Sequence, residues 1–170
     1  DAYEGRLYVL DVKEEMIWRL PPAGSGFGNV EGYFEDSRSG LSSGIDMTID
    51  GAISVLMSDG QIARFFGGER QPFEFQALPQ PLVRPVAMVN EGDAEQGALY
   101  LADAGAESIV ALDKSGRFLY QIKAEPGLLA DLEDLAIEKT SRTLYVLAND
   151  TLYAMALPPV PGTPEMSEWP

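Results

Sequence analysis

Apolar residues in this chain come in short bursts separated by glycine, aspartate, serine and asparagine. The clearest stretch is 97–122, GALYLADAGAESIVALDKSGRFLYQI. Its aromatic and aliphatic runs at 99–102, 109–112 and 118–120 are divided by DAGAE at 103–107 and DKSG at 113–116. Runs of this kind, bounded by Gly/Asp/Ser clusters, predict consecutive hairpin strands. No helix is expected beyond a single turn near 127–132.

The bursts recur. A strand of the LYVL kind begins at Leu7, Ile53, Leu99 and Leu144, at offsets of 46, 46 and 45 residues. Each is followed by a turn and a second apolar strand, at 16–18, 61–65, 108–112 and 151–155. Three of the four are preceded by an apolar–small–apolar triplet: Ile45-Asp46-Met47, Val86-Ala87-Met88 and Leu135-Ala136-Ile137. A fourth strand closes the best unit at 117–122, with weaker counterparts at 30–34 and 73–78. Four short strands in about 45 residues is the period of a β-propeller blade. A blade has two faces and cannot bury both by itself, so neighbours must stack. Strands covered on both faces read as nearly unbroken apolar runs, as Tyr8-Val9-Leu10 and Leu99-Tyr100-Leu101 do.

The order of residues in the third unit carries a resemblance. Pro85-Val86-Ala87-Met88, followed by Gly97 through Phe118, is similar to the NHL-type repeat of six-bladed β-propeller proteins. Residues 44–65 and 135–153 follow the pattern more loosely, and the likeness covers most of 5–157. Met57 and Ala148 stand where the pattern has Asp, and 90–96 is an insertion. The resemblance implies an all-β fold of four-stranded antiparallel blades, in an open arc or as part of a closed ring of six or seven. The units are expected at 1–43, 44–84, 85–132 and 133–157. A tail or linker with five prolines follows at 158–170. The glycine- and serine-rich segment 21–43 is expected to form two long loops around one degraded strand.

The strand count exposes a gap. The first unit is expected to lack its innermost strand and the last its outermost, leaving about three and a half blades. An open arc exposes apolar sheet faces, so either further repeats or self-association is expected to close the ring. The chain opens on Asp1 without a leader-like segment, and the expectation is a processed or cut-down piece of a larger protein.

Charge and missing residue types narrow the chemistry. Twelve Lys and Arg against 27 Asp and Glu give a net charge of −15. That sign is wrong for nucleic acid and for anionic membranes. With no Cys and no His, disulfides, thiolate zinc sites, Ser-His-Asp triads and His-ligated metals are excluded. No apolar window is long enough to span a bilayer as a helix.

The candidate ligand-binding residues are Asp11, Asp46, Asp103 and Asn149. Asp11 and Asp103 end the second strand of their units, where a carboxylate ordinarily accepts turn amides. Asp46 takes the place held by Ala87 and Ala136, on a strand expected to line the central channel. Acidic clusters fall at Glu14-Glu15, Glu35-Asp36, Glu91/Asp93/Glu95 and Asp131/Glu133/Asp134. Calcium takes six to eight oxygens and is the one cofactor these residues leave open. The 90–96 insert is not an EF-hand loop, since Leu101 stands at the twelfth position, and it reads as a solvated acidic loop. Aromatics at Trp18, Tyr33, Phe34, Phe65, Phe66, Phe73 and Phe75 read mainly as packing between blades.

By resemblance, the expected function is a non-catalytic module that binds a protein or a small ligand, such as the extracytoplasmic sensor part of a bacterial envelope protein. The alternative is a fragment of a metal-dependent lactonase or esterase, which sets Glu, Asn and Asp around a channel metal. No catalytic residue can be named from the sequence.

Overall fold

The computed structural model describes residues 1–34 and 40–160. Glu35-Asp36 and the 161–170 part of the tail lie outside the described residues. All regular structure among the described residues is β. The first sheet holds β1 (Ala2–Tyr3), β2 (Arg6–Asp11) and β3 (Met16–Leu20). A small hairpin follows, β4 (Pro22–Ala23) with β5 (Gly26–Phe27), before β6 (Glu31–Gly32) completes the first sheet. The second sheet is β7 (Gly44–Ile49), β8 (Ile53–Met57), β9 (Ile62–Phe66) and β10 (Glu69–Gln71). The third is β11 (Pro85–Gly92), β12 (Gly97–Asp103), β13 (Ser108–Asp113) and β14 (Phe118–Lys123). The fourth has three strands, β15 (Leu132–Glu138), β16 (Thr143–Ala148) and β17 (Thr151–Ala156). Every sheet is an antiparallel meander, and β7, β11 and β15 stand side by side. These are four blades in a propeller arrangement.

Turn chemistry sets the meander. Asp113 Oδ1 accepts the amides of Ser115 and Arg117, and Asp59 Oδ1 accepts that of Gln61. Such carboxylate-capped turns mimic a backbone turn. Between β16 and β17 the chain turns on Asn149 and Asp150, with φ of 52° and 57°. Positive φ at both central residues is what a two-residue hairpin of the twist-matched kind needs.

Three apolar cores separate the four blades. One joins Tyr8 and Ile17 of the first blade to Met47, Val55 and Phe65 of the second. Another joins Leu56 and Ile62 to Met88, Leu99 and Leu101 of the third. The last joins Tyr100 and Ile109 to Leu135, Leu144 and Val146 of the fourth. Among the described residues, no core lies between the fourth blade and the first. Burial follows from that order. β8 and β12 of the inner blades are covered on both faces, whereas β16 alternates buried and half-buried.

Several expectations are corrected. The first blade does have an innermost strand, the two-residue β1, with Asp1 and Tyr8 exchanging hydrogen bonds just beyond it. Tyr8-Val9-Leu10 is covered on one face only, because no blade among the described residues stands outside it, and Val9 is 44% exposed. The closing strand of the second blade is β10, not 73–78. That segment crosses to the third blade, where Gln76 bridges Arg117 in parallel. Segment 21–32 carries the extra β4–β5 hairpin. The insert lengthens β11 and β12 instead of forming a solvated loop throughout: Asn90 and Glu91 are buried, and only its tip is exposed. Finally, Asp46 pairs across from Leu56 as Ala87 does from Ala102, but the fourth-blade equivalent is Asp134, opposite Leu147, and not Ala136. A bulge near the start of β7, β11 and β15 hides this register from a sequence alignment. The fourth blade lacks an outer strand among the described residues, as expected. The first part of the proline-rich segment is docked: Val160 packs into the last core and the Pro158 carbonyl accepts from Arg142.

Candidate functional site

Asp11, Asp103 and Asn149 all fall where the second strand of a blade ends, on one rim of the arc and on three different blades. Each is engaged with its own surroundings. Asp11 Oδ1 accepts the amides of Lys13 and Glu14, and Oδ2 accepts the Trp18 indole at 3.1 Å. The Glu14 amide and the Trp18 indole hold its carboxyl below the usual range. Asp103 is 1% exposed. Its two oxygens accept the amides of Val83, Arg84 and Gly105 at 2.9, 2.8 and 3.2 Å. Asn149 donates its amide to the carbonyls of Gly127 and Leu128.

Asp46 is half-buried near the start of β7. Its Oδ1 accepts the Met47 amide and its Oδ2 the Met88 amide at 2.6 Å, tying the second blade's inner strand to the third's. Burial raises its pKa, against the pull of those two amides. Asp134 makes the same bond within its own strand, to the Leu135 amide. The four predicted residues are not brought together around a cation: among the described residues no group of three acidic side chains is placed to hold one.

The opposite rim holds a charged cluster that the sequence reading missed. Asp50, in the β7–β8 turn, is buried and accepts Lys114 Nζ at 2.8 Å. Arg64 of β9 approaches the other carboxylate oxygen at 3.6 Å. The Lys114 and Arg64 side chains are 5% and 10% exposed. Two cations therefore face one carboxylate in a largely desolvated place. Burial pushes the Lys114 ammonium below its usual pKa, and Asp50 opposes the shift. The other contacts of the Arg64 guanidinium are long, at 3.5 Å to Ser54 Oγ and 3.5 Å to the Ala94 carbonyl. Good hydrogen bonds of this kind are nearer 2.9 Å. The pair lines a cleft of about 450 Å³ between the second and third blades, walled by Phe66, Gln71, Pro72 and Phe73. The Arg64 guanidinium lies 5.9 Å from the centre of the Phe73 ring.

One signal of this cluster was present in the sequence. Arg64 interrupts the apolar run IARFF in an inner blade, where a buried cation needs a partner. Lys114 sits in an ordinary DKSG turn and carries no signal.

No family model and no curated protein matches this sequence. Solved structures do resemble it. A virginiamycin B lyase from Staphylococcus aureus, in complex with quinupristin, matches with a TM-score of 0.55 and 17% identity over 92% of this chain and 53% of that one. A structure of a nidogen/laminin complex matches with a TM-score of 0.55 and 15% identity over 83% and 51%. A gluconolactonase from Xanthomonas campestris matches with a TM-score of 0.53 and 15% identity over 84% and 44%. All three are β-propeller proteins, and the chain spans about half the length of each. The likeness establishes the fold.

Proposed function

We propose that this chain is a non-catalytic binding module, a set of propeller blades that presents a recognition surface to a protein or a small ligand. The NHL-type pattern of the third blade belongs to the same proposal. The observation that carries it is the engagement of Asp11, Asp46, Asp103 and Asn149 with backbone groups and neighbouring side chains. A general base or metal ligand needs an oxygen available to the reacting atoms, and in Asp11, Asp46 and Asp103 both carboxylate oxygens already accept N–H donors of their own chain. A propeller in a two-protein assembly, the nidogen/laminin neighbour, gives precedent for a protein partner.

The lactonase-like alternative is tested directly. The protein is incubated with a panel of lactones and aryl esters, with and without calcium. Turnover no faster than buffer is the expected result. Calcium-dependent hydrolysis abolished by Asp46→Asn or Asp103→Asn would overturn the binding-module reading.

A further inference from the structure

We propose that the cleft between the second and third blades binds a small organic carboxylate with an apolar body. Arg64 and Lys114 take the carboxylate, and Phe66, Phe73 and Pro72 take the body. This deepens the binding-module reading and rests on it.

Charge is the first ground. A chain with a net charge of −15 places two of its twelve basic side chains in one buried spot, against a single buried carboxylate. Asp93 lies near Lys114, but it is exposed, and its Oδ1 is engaged by the amides of Glu95 and Gln96. A buried cation without full charge compensation is unfavourable, because the interior solvates it poorly. A second carboxylate in the cleft removes that imbalance.

Hydrogen-bonding capacity is the second ground. A guanidinium carries five N–H donors in a planar fork suited to a carboxylate. In Arg64 the three contacts are all 3.5–3.6 Å long. The fork is held in place and is poorly satisfied.

The wall is the third ground. Phe66 is 60% exposed at the mouth of the cleft, while its neighbour Phe65 is buried in the core. With Phe73 and Pro72 it gives the cleft apolar lining beside the cations, the Phe73 ring lying 5.9 Å from the Arg64 guanidinium. The volume of about 450 Å³ falls within the usual size of small-ligand pockets. A smaller hollow nearby, about 180 Å³ and lined by Gln61, Ile62, Phe73, Glu74 and Phe75, has no cation.

The test is titration calorimetry at low salt with phenylacetate, acetate, inorganic phosphate and phenethylamine. Saturable binding of phenylacetate is expected, with acetate about tenfold weaker for want of a buried ring. Phosphate should bind no better than acetate, and phenethylamine not at all. Arg64→Gln and Lys114→Gln should each remove binding, and Phe66→Ala, at an exposed position that the fold does not need, should reduce it severalfold. Absence of phenylacetate binding, equal binding of all three anions, or retention in both Gln variants would overturn the proposal. None of those results touches the non-catalytic reading, which falls only to lactone or ester turnover.

Discussion

At the scale of single residues, hydrogen bonds and steric contacts give the sharpest expectations. The Ser141 hydroxyl and the amides of Ser141 and Thr140 lower the Glu138 pKa to about 2. Its folded value lies below its unfolded one, so its contribution to stability is complete above about 4.5 and is lost as pH falls toward 2. Carboxyl NMR titration should place Glu138 lowest among the glutamates. Glu138→Gln should flatten that part of the acid limb of stability. Asp46 behaves oppositely. Burial raises its pKa, so its charge disfavours the folded state as pH climbs from the ordinary aspartate value of 3.8 through the raised one. Gly97 is a steric case. Its φ is +111°, and a Cβ there would meet the Glu91 carbonyl oxygen at 2.1 Å. Gly97→Ala should therefore lower stability by roughly 1–3 kcal/mol, read from urea denaturation midpoints. A midpoint within error of wild type would show that the hairpin closes in another way.

At the scale of strands and their connections, two buried carboxylates hold elements in register. Asp103 fixes the entry to β11 by taking the amides of Val83 and Arg84. Asp103→Ala leaves those donors unmet at about 1–3 kcal/mol each. It should unfold the third blade well before Asp11→Ala disturbs the first, since Asp11 serves an exposed turn. Glu91 accepts a two-pronged contact from Arg142 and the Tyr100 hydroxyl, which itself meets Tyr120. That network locks the third blade to the fourth. Removing Arg142 strands the buried Glu91 carboxylate, at roughly 3–5 kcal/mol. The double variant Glu91→Gln/Arg142→Gln should recover part of the loss, and a cycle with no coupling between the two would contradict the assignment.

At the scale of the whole molecule, four blades enclose three cores among the described residues. The outer face of the fourth blade exposes Leu152, and that of the first exposes Val9. Asp134 repeats the position of Asp46 but, among the described residues, meets no neighbouring inner strand. The chain by itself is therefore expected to self-associate or to bind an apolar dye. A monomer in sedimentation with no dye binding would argue against any need to complete the ring. Asp46→Ala, which removes the acceptor of the Met88 amide, should cost more stability in the isolated chain than Asp134→Ala.

The blade period and the antiparallel meander were legible in the chain, because strands and turns are specified by residues a few positions apart. Leu99-Tyr100-Leu101 and the DKSG turn state their roles locally. The strands most readily misplaced, β1 and β10, are two and three residues long and have little pattern to read. The site was not legible for a different reason. Met88 with Asp46, Arg142 with Glu91 and Lys114 with Asp50 are 42, 51 and 64 positions apart. Each pair joins neighbouring blades, and its geometry depends on how one sheet leans on the next. Period and turn chemistry settle the shape of a blade; only the stacking of blades decides which charges meet in the cleft between them.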